Sequence, residues 1–212
     1  MLPGLERLSF TQNFFNGLVI VIADLEALFD IEIAVGLYND NPDVPQAAAR
    51  PDPSILTQAG GPPGDGVIAI GRHLIEKLKT ENADASFFSA ALTAICAHEC
   101  GHILQFKYRE TFDEFYKYVD YSTARELHAD FICGYYGFHR QQRDDEYPAV
   151  LQAKTLYVRG DDELVAVDHG TYEQRGNAVR AGYLAGKAAV GPESIVHEGL
   201  KVVAGLGLKI QD

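Results

Sequence analysis

The chain has 212 residues, 47% of them apolar, enough for one domain spanning 1–212 with a substantial core and no need of disulfides. Eighteen Lys and Arg against thirty Asp and Glu leave a net charge of −12, and no basic cluster stands out to grip phosphate, which argues against nucleic acid or an anionic membrane as a partner. Three cysteines make a poor disulfide framework and suit a reducing compartment, the cytoplasm.

Near the start, the apolar run Leu18 to Ala23 is closed by Asp24 and Glu26. It is too short to span a bilayer and has no clear cleavage site, so neither a signal peptide nor a membrane anchor is expected. Phe10, Phe14, Leu18, Val21, Leu25 and Leu28 recur at helical steps and predict an amphipathic helix over 11–29 behind a Ser9 or Thr11 cap. Ile31, Ile33, Val35 and Leu37 alternate with Glu32, Ala34 and Gly36, the period of a strand. Residues 39–65 hold Pro42, Pro45, Pro51, Pro53, Pro62 and Pro63 and show no period, so they read as one long loop.

Gly66 to Ile70 predicts a short strand running into a helix over 72–79. A longer helix follows from a cap near Asp84 or Ser86. The aromatic-rich stretch from Tyr108 to Tyr121, with Phe112, Phe115, Tyr116 and Tyr118, reads as core filling, and residues 121–140 as a further helix. Pro148 opens a predicted helix to about Tyr157, with a loop at Asp161, Asp162 and Glu163. Thr171 and Gln174 form a capping box for a helix ending near Gly186, and the tail 191–212 carries no assigned element.

Chemistry concentrates in Ala94 to Gln105, AICAHECGHILQ. On a helix advancing about 100° per residue, His102 falls about 40° from His98 and Glu99 about 100°, so two imidazoles and a carboxylate share one arc. That spacing predicts one Zn²⁺ bound by His98 and His102, with Glu99 beside it as general base. Cys96 and Cys100 fall on the far side. Ala90, Ala94, Ala97 and Gly101 form a stripe of small residues, and Glu126, Asp130, Cys133 and Gly137 repeat on one face of the 121–140 segment, so the two helices are expected to pack closely. Glu126 is then the natural third ligand, and Asp130 an acceptor for the free ring N–H of a ligand histidine. Cys133 reads as a small filler of that seam. His73, His128, His139 and His197 lack partners at ligand spacing and read as surface or core histidines. The strand before the metal helix, Val67 to Ile70, offers a possible edge along which an extended peptide can pair.

Three stretches, HECGHILQ at 98–105, ELHADFICGYY at 126–136 and HGTYEQR at 169–175, together resemble the bacterial neutral zinc metallopeptidases and, more distantly, the HtpX and CAAX-protease group of gluzincins. The resemblance implies an α+β, zincin-like fold, mainly helical with a small mixed sheet, in which the HExxH helix packs on a glutamate-donating helix. It implies zinc on His98, His102 and Glu126, Glu99 as base, and a peptide or protein as substrate. His169, on the turn before Gly170, is a candidate second donor to the carbonyl oxygen where negative charge develops, with Tyr172 and Arg175 as weaker candidates; a packing role for His169 is the alternative. A zinc-binding regulatory module that is catalytically silent, and a zinc hydrolase of non-peptide amides, are the rival readings. Retention of Glu99 argues against the first, because a purely structural site needs ligands and no base.

Overall fold

The computed structural model describes residues 9–51, 64–81, 85–115, 121–144 and 170–206. In chain order these form α1 (Ser9–Phe29), β1 (Ile33–Tyr38), β2 (Ala47–Arg50), β3 (Gly66–Gly71), α2 (Arg72–Glu81), α3 (Ala85–Lys107), α4 (Arg109–Phe115), α5 (Tyr121–Arg143), α6 (Tyr172–Lys187) and α7 (Pro192–Ala204). The architecture is α+β, mostly helical with a 3-stranded mixed sheet. The helix expected from Pro148 to Tyr157, the loop at 161–163, and Tyr116 and Tyr118 lie outside the described residues. Among the described residues no helix is long and apolar enough to cross a membrane.

Leu18, Val21 and Leu25 on α1 face the core, at the spacing the sequence shows. The helix ends where Asp30 turns left-handed at φ 50 and the Ile31 amide reaches back to the Glu26 carbonyl at 3.3 Å. The Glu26 side chain then accepts the Ile33 amide at 2.8 Å, handing the chain directly into β1.

The strand order is β1-β3-β2, with β1 parallel to β3 and β2 antiparallel to it. This corrects two expectations. Val67 to Ile70 is the central strand, paired on both sides and wholly buried, and therefore offers no edge. The continuous apolar run, with no polar alternation, is what a strand covered on both faces requires. The long loop also contains a strand, β2, whose register runs from Ala47 opposite Ile70 to Arg50 opposite Val67. Three alanines carry little strand propensity, so β2 exists through its pairing with β3 and not through local preference.

Asp40 pins that pairing in place. Its buried carboxylate accepts the Gln46 amide at 3.2 Å and the first amides of α2, from His73 at 2.8 Å and Leu74 at 3.1 Å. Burial alone would raise its pKa, but the bonds from His73, Gln46 and Leu74 hold it below the usual carboxylate range. Gly71 is required beside it, since a Cβ there would collide with the Asp40 carboxylate and the Gln46 carbonyl.

Among the helices α5 is central, every residue from Leu127 to Gly137 being buried, with α3, α6 and α7 packed around it. A helix apolar all round needs neighbours on all sides. The expected close seam with α3 is present: a Cβ on Gly101 would lie 2.6 Å from the Ala129 Cα, and the Cys133 thiol donates to the Ala94 carbonyl at 3.4 Å. The approach to α6 is tighter still. Gly134 sits against the Val179 carbonyl, and Gly182 against the Phe131 carbonyl, so each helix offers the other a glycine. Gly182→Ala is expected to force α6 off α5 and cost about 1–3 kcal/mol, read from the urea midpoint. A wild-type midpoint would mean that the helices do not meet this closely.

The tail from Gly191, for which no element is expected from the sequence, forms α7 and buries Ile195, Val196, Leu200 and Val203 against the rest. The signals are ordinary ones: Pro192 at the first helical turn and an apolar face at helical spacing.

Candidate metal centre

The α3–α5 seam sets the geometry, because close contact at Gly101 and Ala129 lets short side chains meet across it. His98 Nε2 lies 3.3 Å from Glu126 Oε2, and His102 Nε2 lies 3.3 Å from Glu126 Oε1. The imidazoles stand edge to face with centroids 4.9 Å apart. One ligand atom from each of His98, His102 and Glu126 falls within 4.8 Å of the others, so the three can hold a metal ion.

Both histidines are also held from behind. His98 Nδ1 donates to Asp130 Oδ1 at 2.8 Å, and His102 Nδ1 to Gln105 Oε1 at 2.9 Å. Each ring therefore turns Nε2 toward Glu126, the arrangement that outer hydrogen bonds impose on ligand histidines. Asp130 is fully buried and is gripped by Arg175, whose Nε donates to Oδ2 at 2.7 Å and whose Nη2 donates to Oδ1 at 2.8 Å. This two-pronged bond is the arrangement that best compensates a buried carboxylate.

These contacts explain the charge states. Burial would depress His98, but hydrogen bonds to Asp130 and Glu126 outweigh it and push its pKa up to about 10. Burial would raise Asp130; the Arg175 guanidinium and His98 reverse this and hold it below its ordinary value. In the metal-free site His98 therefore carries a second proton at neutral pH, lying on the side where a cation would otherwise sit.

Glu99 follows His98 on the same helix and is 8% exposed, with no basic ion-pair partner among the described residues. Tyr38, at the end of β1, borders the same region: burial raises its pKa, and the charges of Asp40 and Glu99 add to the effect. Its hydroxyl donates to the Gln46 carbonyl at 3.2 Å. Cys96 and Cys100 lie in the apolar core, where burial pushes both thiols up and makes them poor ligands.

No protein-family model, curated protein or solved structure matches the chain.

The structure brings His98, His102 and Glu126 together and sets Asp130 behind His98, while Glu99, next to His98 on α3, is nearly buried and is not one of the grouped ligands. His169 lies outside the described residues. The next residues form a helix start: Gly170 has φ +80, and Thr171 and Gln174 bond reciprocally, at 2.9 Å from the Thr171 amide and 3.2 Å from the Gln174 amide. That cap delivers Arg175 to Asp130, so Arg175 has two of its donors committed to the protein and is a poor candidate for a substrate oxygen. Of the remaining histidines, His73 bonds Asp40 through Nδ1 at 3.1 Å, and His128 is completely buried. Gln105 is a member of the centre to which the sequence reading assigns no role, although it closes the HECGHILQ stretch and lies three residues after His102 on the same helical face.

Proposed function

We propose that the protein is a zinc-dependent peptidase with a zincin-like core, in keeping with the metallopeptidases it resembles. One zinc per chain would be held by His98, His102 and Glu126. The supporting observation is the cluster itself: one ligand atom from each residue lies within 4.8 Å of the others, and each histidine Nε2 lies 3.3 Å from one of the two Glu126 oxygens. Ligand atoms on a tetrahedral zinc, with bonds of about 2.0–2.1 Å, lie about 3.3 Å apart. Three protein ligands with both Nδ1 atoms otherwise engaged are the donor set of a catalytic site with one position left open.

Zinc bound there supplies a Lewis acid that polarises a carbonyl and promotes ionisation of water. The chain's own residues do the rest. Glu99 takes a proton from the attacking water and passes it to the leaving amine. Asp130 and Gln105 hold the imidazoles, and Arg175 keeps Asp130 ionised in its buried place. The outer edge of β2, which has no strand partner among the described residues, lies on the sheet against which α3 packs and suits an extended peptide. Three buried free thiols fit a cytoplasmic setting.

Metal analysis of the purified protein, paired with an unbiased peptide-library digest, tests this reading. About one zinc per chain is expected, released in His98→Ala, His102→Ala and Glu126→Ala. Zinc uptake must displace the extra proton from His98, so affinity is expected to rise with pH until about 10, with proton release measurable by calorimetry in two buffers. Full zinc in Glu126→Ala would remove Glu126 from the ligand set. Full zinc with no cleavage of any peptide would hand the lead to the binding-module reading.

A further inference from the structure

Gln105 bonds four groups, and two of them belong to a single residue. Its Oε1 accepts Arg125 Nε at 2.9 Å, while its Nε2 donates to the Arg125 carbonyl at 2.8 Å. A guanidinium can only donate and a carbonyl can only accept. Arg125 therefore dictates which end of the amide is oxygen, a choice usually left open by symmetry of shape. The guanidinium is itself fixed, lying 5.6 Å from the Phe106 ring centroid on α3 and 5.6 Å from that of Tyr121 on α5.

With the amide locked, Oε1 presents an acceptor to His102 Nδ1 at 2.9 Å, so that nitrogen must carry the hydrogen. The other face of the amide is equally constrained. Gln105 Nε2 makes a long 3.5 Å contact with His128 Nδ1, whose Nε2 lies 3.1 Å from the Val196 carbonyl on α7. The carbonyl requires N–H at His128 Nε2, which leaves a lone pair at Nδ1 facing the amide N–H. The histidine is seated for this role: it stands edge-on to Phe112 at 4.6 Å, and a Cβ on Gly199 would come within 2.8 Å of its ring.

We infer that Gln105, clamped by Arg125 and backed by His128, is a positioning residue that holds His102 with Nδ1 protonated and Nε2 aimed at Glu126. The donor and acceptor roles agree along the whole chain from His102 to Val196, with no group asked to play both parts. Asp130 does this for His98 with a charge; Gln105 does it for His102 without one, which avoids a second carboxylate behind a site that already holds Glu126 and Glu99. The consequence for metal affinity rests on the proposed zinc site, whereas the hydrogen position does not.

The test uses full-length protein with ¹⁵N-labelled histidine rings. Long-range ¹H–¹⁵N correlation spectra of the wild type, metal-free and zinc-loaded, are expected to show hydrogen on His102 Nδ1 in both forms. Gln105→Leu is expected to mix the His102 ring states in the metal-free form and lower zinc affinity by about ten- to a hundredfold. Gln105→Glu keeps the acceptor for His102 and Arg125 but loses the donor to the Arg125 carbonyl, so it is expected to retain His102 Nδ1–H in the metal-free form, a readout that stands even if Gln105→Leu fails to fold. An unprotonated His102 Nδ1 in the metal-free wild type would overturn the inference, as would wild-type zinc affinity in a folded Gln105→Leu. Wild-type protein that binds no zinc yet keeps hydrogen on His102 Nδ1 would support the positioning role and sink the zinc reading alone.

Discussion

Glu99→Gln is expected to keep about one zinc per chain while lowering peptide turnover by about 10²–10⁴-fold. The substitution preserves shape and hydrogen-bonding capacity but replaces a carboxylate with an amide that takes up no proton at working pH. Glu99 is not among the ligand atoms grouped around Glu126, so metal occupancy has no reason to change. Stability is expected to hold or rise slightly. A nearly buried carboxylate with no basic partner among the described residues is costly to desolvate, and a neutral amide costs less. The loss is expected in kcat with KM nearly constant, since proton transfer belongs to the transition state and not to substrate binding. Turnover within about threefold of wild type would remove Glu99 from the base position. Loss of zinc together with turnover would assign it to the ligand set.

The elements that the sequence reveals are those whose signal is local. A period of 3.6 along Leu18, Val21 and Leu25 announces α1, and Thr171 with Gln174 announces α6, because a helix and its cap are made of neighbours in the chain. The same holds for the pairing of His98 with His102, one turn apart. Glu126 is a different case: it sits on another helix, and it becomes a candidate only because small residues on both helices allow close approach, realised at Gly101 and Ala129. Where the deciding partner is distant and the residue type is common, the sequence is silent. Ala47 to Ala49 make a strand because β3 lies beside them, which no alanine announces. Arg175 meets Asp130 across 45 residues, and the sequence, which offers it only as a weaker candidate donor to the carbonyl oxygen, gives no sign of that partner. Gln105 meets Arg125 across 20 residues and His128 across 23, and its significance lies in which hydrogens go where. The missed α7 is of another kind, since Ile195, Val196, Leu200 and Val203 did carry a readable period.

Arg175→Met is expected to cost about 3–5 kcal/mol and to weaken zinc binding at the same time. The arginine is 4% exposed and its partner Asp130 0%, so its removal leaves a carboxylate in the interior with His98 as its one remaining partner among the described residues. A buried carboxylate in that position relieves its cost by taking up a proton. Once protonated it can donate toward His98 Nδ1 rather than accept from it, and a ring that accepts at Nδ1 presents N–H at Nε2, where the lone pair for the metal is needed. Stability and metal affinity are thus lost through one pair, but they can be separated. Asp130→Leu added to Arg175→Met replaces both charges with apolar groups, and buried ion pairs exchanged for hydrophobic residues are often neutral or stabilising. The double variant is therefore expected to regain much of the lost stability, read from the urea midpoint. Zinc affinity is not expected to return, because His98 still has no acceptor behind it; it stays about ten- to a hundredfold below wild type. If the double variant recovered stability and zinc affinity together, Asp130 would be a scaffold residue whose contact with His98 has no bearing on the metal. If it recovered neither, the α5–α6 interface would depend on the ion pair for its fold, and the glycine contacts at Gly134 and Gly182 would not suffice to hold it.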